Sequence, residues 1–100
     1  VEGYSRPYQN YRLSKRVLTE LTRQQALLFA PAVRVNAIAP GALLPSRGQT
    51  RAAFARLAGL IPMRRTGRTD DLRSAFAYLT AATYVTGQVL YVDGGWHLSG

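Results

Sequence analysis

The stretch VRVNAIAPG, Val33 to Gly41, decides the fold. From Val33 to Ala39 it is short, β-branched and apolar at both odd and even positions. That is the pattern of a strand covered on both faces, as in a parallel sheet flanked by helices. Pro40–Gly41 then ends the strand sharply.

On the N-terminal side, Tyr8 to Ala30 has a helical period. Leu13, Val17, Leu21 and Leu28, with Leu27 close by, make the apolar stripe that a helix buries. Arg12, Arg16, Thr19 and Arg23 fall together on a face expected to be solvated. Pro31 forbids continuation, because the residue before a proline is pushed out of the helical region.

On the C-terminal side a loop runs through ALLPSRGQT, and Arg51–Leu60 has the apolar spacing of a short helix. The segment IPMRRTGR returns to loop. Thr69 is expected as an N-cap, with Asp70 and Asp71 in the first turn, where acids suit the helix dipole. Leu72, Phe76 and Leu79, with Ala75 and Ala82, are the expected buried side. Gly87 marks a turn, and QVLYVDGG reads as strand then turn.

The order is helix, strand, irregular segment, helix, strand. Two strands joined by a helical crossover are expected to be parallel, with a right-handed connection. A parallel sheet needs more strands than two and helices on both faces. The pattern therefore implies an open α/β sheet whose remaining strands lie in an N-terminal part outside these 100 residues, and Val1 reads as mid-protein sequence.

The chain has no cysteine, which excludes disulfides and thiolate metal sites. No apolar run is long enough to span a bilayer, and Val1–Asn10 lacks the apolar core of a signal peptide. A cytoplasmic protein with no membrane partner is expected. The net charge is +8, from 13 Lys+Arg against 5 Asp+Glu. The basic residues are spread along the chain, with Arg64–Arg65–Arg68 the one cluster, so nucleic acid is not the expected partner.

Tyr11 and Lys15, in NYRLSK, stand one helical turn apart on a face that also holds Leu18 and Thr22. From spacing alone, such a pair reads as an ordinary helix-surface contact. The following segments change its weight. YRLSK, VRVNAIAPG, IPMRRTGRTDDL and YVTGQVLYVDGG together resemble the C-terminal part of a short-chain dehydrogenase/reductase, in that family's order and approximate spacing. The likeness covers nearly the whole chain. The tight APAVRVNAIAP link and the VDGGWHL ending are most similar to the pteridine reductases and dihydromonapterin reductases.

The resemblance implies a Rossmann-type doubly wound parallel sheet, of which residues 1–100 form the C-terminal portion of a single domain. It implies Tyr11 as proton donor and Lys15 as its partner, which also hydrogen-bonds the nicotinamide ribose. A free tyrosine titrates near ~10. A nearby ammonium favours the phenolate, which suits proton transfer to a carbonyl or imine whose carbon exchanges hydride. Pro40–Gly41 ends a strand at its C-terminal edge, where open α/β sheets bind ligands. The backbone after it, Ala42 and Leu43, takes the place of the family's carboxamide contact. Four residues after Gly41, where the family commonly has a phosphate-contacting threonine, stands Pro45, with neither hydroxyl nor amide hydrogen.

The cofactor implied is NADP(H) in preference to NAD(H). The substrate is a pterin-like ring or a carbonyl compound, as in the 3-oxoacyl-carrier-protein reductases. A homo-oligomer, dimer or tetramer, is expected. A non-catalytic remnant acting through protein association is the reading from another class. The 100 residues carry no glycine-rich phosphate loop, and the family's third catalytic group, Ser or Asp, falls before Val1; Ser5 is too close to Tyr11 for that role. These residues alone are thus expected to be inactive.

Other residues read as structural. Asn36 is expected to tie backbone together within its strand. Leu44 to Met63 takes the substrate-loop position. His97 reads as a surface or interface residue, Asp70 and Asp71 as capping acids, and no metal site is expected.

Overall fold

The computed structural model describes residues 6–45 and 47–99, with side chains from Arg12 onward. The elements are α1 (Arg6–Phe29), β1 (Ala37–Pro40), α2 (Arg51–Arg56), a 3-10 turn (Leu57–Leu60), α3 (Thr69–Ala81), β2 (Val89–Val92) and a second 3-10 turn (Trp96–Leu98). β1 and β2 pair as a two-stranded sheet. Gly87 N–H donates to Val35 C=O (2.8 Å), Ala37 N–H to Gln88 C=O (2.9 Å) and Gly41 N–H to Val92 C=O (3.0 Å). Partner numbers rise together, so the strands are parallel. Because the crossover between them is helical, the chain is α/β.

The chain divides into two compact units: residues through Ala37 with Tyr84–Val89, and Ile38–Thr83 with the chain from Leu90 onward. In the first unit, α1 ends where Pro31 requires. Its buried residues are Thr22 and Ala26, each 4% exposed. Thr22 donates to Leu18 C=O at 2.7 Å, so the helix itself satisfies the buried hydroxyl. Small residues face inward because backbone approaches there: a Cβ on Gly87 would lie 3.4 Å from the Cβ of Ala26.

The expected leucine stripe is not the buried face. Leu13, Val17, Leu21, Leu27 and Leu28 are 48–81% exposed. Within these 100 residues α1 meets the turn at Gly87 through Ala26, and its large apolar side chains stay exposed.

Strand β1 is shorter than expected, starting at Ala37. Before β1, Val35 bonds the facing segment through its backbone, partly to the Thr86 hydroxyl, and Asn36 through its side chain, so no regular ladder forms. Val35 N–H donates to Thr86 Oγ1 (3.0 Å), Asn36 Nδ2 to Val85 C=O (3.0 Å), and Gln88 N–H to Asn36 Oδ1 (3.0 Å). Asn36 thus ties backbone together, as its position in the sequence suggests.

In the second unit the buried residues are Ala39, Ile61 and Ala75. Helix α2 starts at the Thr50 cap, whose hydroxyl accepts from Ala53 N–H. The expected Arg51–Leu60 helix tightens to 3-10 after Arg56. Helix α3 starts one residue earlier than expected: Arg68, not Thr69, holds the cap position. The reason is Asp71, whose Oδ2 accepts from Arg68 N–H at 2.7 Å. Ala75 is buried and Leu72, Leu79 and Ala82 are half-buried. Phe76, expected inside, is 66% exposed.

Candidate functional site

The predicted site residues fall in both units. Tyr11 and Lys15 are one turn apart on α1. The Tyr11 side chain lies outside the described residues. Lys15 is half-buried, on the face that also carries the half-buried Leu18 and the buried Thr22. Its face is therefore the inward one, and its backbone carbonyl accepts from Thr19 Oγ1 at 3.0 Å.

Pro40, Gly41, Ala42 and Leu43 lie in the other unit, at the C-terminal end of β1. Two contacts hold this strand end and a third holds the turn after β2. Gly41 N–H bonds to Val92 C=O, Gly67 N–H donates to Ala42 C=O at 2.7 Å, and Met63 N–H donates to Gly94 C=O at 3.0 Å. A side chain on Gly41 would collide with Asp93, its Cβ 2.6 Å from the Asp93 Cβ. One on Gly67 would lie 2.5 Å from Leu43 Cδ2. Glycine is needed at Gly41, where the Asp93 Cβ and backbone leave no room, whereas at Gly67 the flexible end of Leu43 could give way.

Asp93 organises the end of β2. Its carboxylate accepts from Gly95 N–H (3.0 Å) and His97 N–H (2.9 Å), and lies 2.9 and 3.0 Å from His97 Nδ1. Its side chain is only 7% exposed. Burial pushes its pKa up, but hydrogen bonds from the His97 ring, the His97 and Gly95 amides and the charge of His97 outweigh this and hold it below the usual carboxylate value. An ionised carboxylate only accepts, so Nδ1 carries the hydrogen. The His97 ring stacks on Tyr91, centroids 3.9 Å apart and planes 13° apart. Gly94 and Gly95, at φ of 63° and 88°, supply the turn.

VDGG is a turn and His97 an exposed residue, as expected from the sequence for a turn and a surface or interface position; the Asp93–His97 contact is additional. The Asp93–His97 spacing of four, across two glycines and beside an aromatic, was the available signal.

A second charged group caps α3. Arg65 grips Asp71 with two bonds of 2.9 Å. That grip, joined by the Arg68 amide, holds the Asp71 carboxyl well below its usual range, and Asp71 in turn raises Arg65. Asp70 pairs only with exposed Arg73, a contact worth little. The two acids are thus a cap and a surface pair, and among the described residues no group of acids and histidines could hold a metal.

A cavity of about 280 Å³ lies among Ala42, Ile61, Arg65, Asp71, Tyr91 and Asp93. Ligand pockets usually run from ~300 Å³ upward. The carboxylates lining this one are already paired, and among the described residues no buried polar side-chain atom lacks a partner. It is space beside the strand ends rather than a complete substrate pocket. No helix of the described residues is long and apolar enough to cross a membrane.

Comparison with known proteins places these features in a family. The family model described as enoyl-(acyl carrier protein) reductase matches residues 2–97. A ketoacyl reductase assigned to the granaticin polyketide synthase of Streptomyces violaceoruber is 49% identical over 81 residues, 77% of this chain and 32% of its own length. Glucose 1-dehydrogenase of Gluconobacter oxydans is 37% identical over 93% of this chain and 38% of its own length. Among solved structures, FolM alternative dihydrofolate reductase 1 from Brucella canis, complexed with NADP, is 39% identical with a TM-score of 0.81. That match covers 90% of this chain and 36% of the other. The chain spans about a third of the length of the curated relatives it matches. Its parallel α/β architecture matches these Rossmann-type neighbours, and the chain belongs to the short-chain dehydrogenase/reductase family.

Proposed function

We propose that the chain is the C-terminal part of a nicotinamide-dependent reductase acting on a pterin-like substrate. One observation carries the pterin reading: the 39% identity and TM-score of 0.81 to a dihydrofolate-reducing neighbour held with NADP. The same neighbour favours NADP(H) over NAD(H), although a short-chain dehydrogenase from Leptospira borgpetersenii that the chain also matches carries NAD+.

Each of the two units carries residues of a kind that would meet such a cofactor. The strand end at Pro40–Gly41 is pinned by Val92 and Gly67, so the Ala42 and Leu43 backbone is fixed where it would receive the carboxamide. Lys15, on the inward face of α1, would hold the ribose. The bound cofactor supplies hydride to the substrate carbon. Tyr11 delivers the proton from its hydroxyl, and the Lys15 ammonium eases that transfer by favouring the phenolate left behind. No glycine-rich phosphate loop occurs in these 100 residues, so alone they are expected to turn over nothing. The exposed Leu13–Val17–Leu21 stripe is apolar surface that a second copy could cover, so the whole protein is taken as a homo-oligomer, dimer or tetramer.

A second reading, carbonyl reduction on a carrier-bound acyl chain, is favoured by the 49% identity to the granaticin ketoacyl reductase. Following NADPH oxidation by the intact protein separates the two. Turnover of dihydropterins but not of acetoacetyl thioesters supports the first, and the opposite supports the second. Failure of NADPH and NADH to bind at all overturns both and leaves the non-catalytic remnant.

A further inference from the structure

We propose that His97 is a positioning residue that braces the cofactor-facing strand end from behind. The proposal rests on reading Ala42–Leu43 as a cofactor contact. The chain of contacts lies in one unit and runs through four residues. Tyr91 lies flat against the His97 ring at 3.9 Å. His97 Nδ1 bonds the Asp93 carboxylate. Asp93 backs onto Gly41 so closely that a hydrogen in place of a side chain is the only fit, with a Gly41 Cβ placed 2.8 Å from the Asp93 Cα. Gly41 leads directly into Ala42 and Leu43, whose backbone is further held by Gly67 N–H on Ala42 C=O.

Without His97, Asp93 would keep two amide donors but lose the ring that aims its carboxylate. The carboxylate, 7% exposed with His97 in place, would then have one fewer donor, a costly state that favours rearrangement of the turn. The Gly94–Gly95 pair offers little resistance to that rearrangement, because glycine reaches many backbone conformations. Gly41 would follow, because it shares a boundary with Asp93 and a hydrogen bond with Val92. A ring that merely covered the surface would have no such link.

The test compares His97→Leu, which keeps bulk and removes the donor, with His97→Asn, whose amide can replace Nδ1–H. In the intact protein, amide exchange at Gly41 and Gly67 is expected to quicken about tenfold in H97L and to return towards wild type in H97N. Quickening at Gly95 and His97 alone would reduce His97 to a local cap and overturn the proposal. Nicotinamide fluorescence titration supplies the functional readout: cofactor binding in H97L weakens roughly threefold to tenfold, the loss expected for one hydrogen bond, with kcat nearly kept. If the wild-type protein binds no nicotinamide cofactor, the functional reading fails, while the exchange rates still decide the brace. If H97L does not fold, Tyr91→Leu removes the stack alone, and unchanged exchange at Gly41 and Gly67 in that variant overturns the proposal.

Discussion

Gly41 and Asp93 share a boundary with no room for one more carbon: a Cβ on Gly41 would lie 2.6 Å from the Asp93 Cβ. Both sit at C-terminal strand ends, one leaving β1 and one leaving β2. Gly41→Ala therefore pushes the two strand ends apart or breaks the Gly41–Val92 hydrogen bond. A destabilisation of about 1–3 kcal/mol is expected, as for overpacking elsewhere. Urea unfolding of the intact protein measures it; a midpoint equal to wild type would show that the contact yields without cost.

Asn36→Ala removes a donor to Val85 and an acceptor from Gln88 in one substitution. Each lost bond is worth about 1 kcal/mol, so about 2 kcal/mol is expected. Asn36→Asp keeps the acceptor and loses the donor, and should fall between. Thermal unfolding of the three proteins orders them; an Asn36→Asp protein less stable than Asn36→Ala would mean that the buried charge, not the lost bond, dominates.

The Asp71 cap gives a pH dependence with a definite sign. Its carboxyl is held below the usual value when folded. It therefore contributes stability above about pH 4, the unfolded range, and that stability is lost as pH falls through the lower folded value. Asp71→Asn should flatten this part of the stability curve on the acid side and leave the slope near neutrality unchanged. High salt should shrink the difference, because Arg65 and Asp71 are both partly exposed. Equal acid slopes in both proteins would remove Asp71 from the account.

What the sequence made legible followed from local physics. Pro31 and Pro40–Gly41 stop a helix and a strand by forbidding backbone geometry, and each stop is where the sequence places it. Asn36 is legible for a similar reason: an amide inside a strand must find backbone partners. The leucine stripe of α1 is exposed within these 100 residues, which span about a third of the relatives' length: amphipathic spacing says which residues can be buried, not which segment buries them. In these residues small Thr22 and Ala26 are buried, Ala26 against Gly87, while the leucines stay exposed. The start of α3 was off by one because Asp71 reaches back past Thr69, aided by Arg65 from a loop whose path the sequence does not reveal. The Asp93–His97–Tyr91 cluster was missed because it depends on a turn geometry at two glycines. Tyr11 and Lys15 are proposed only through the motifs that follow them, since their spacing alone is common on helices.

The catalytic assignment is tested at those two residues in the intact protein. Tyr11→Phe keeps the ring and removes only the hydroxyl. If Tyr11 delivers the proton, kcat should fall by ~10²–10⁴, the usual worth of a positioned general acid, while cofactor affinity changes little. Lys15→Ala should lower kcat and weaken cofactor binding together, because one ammonium serves both the phenolate and the ribose. Stopped-flow NADPH oxidation gives the rates, and fluorescence titration gives the affinities. Retained turnover in Tyr11→Phe would move the proton donor elsewhere. Unchanged cofactor affinity in Lys15→Ala would leave that lysine as the electrostatic partner of Tyr11 alone, its half-buried place on α1 then serving the phenolate and not the ribose.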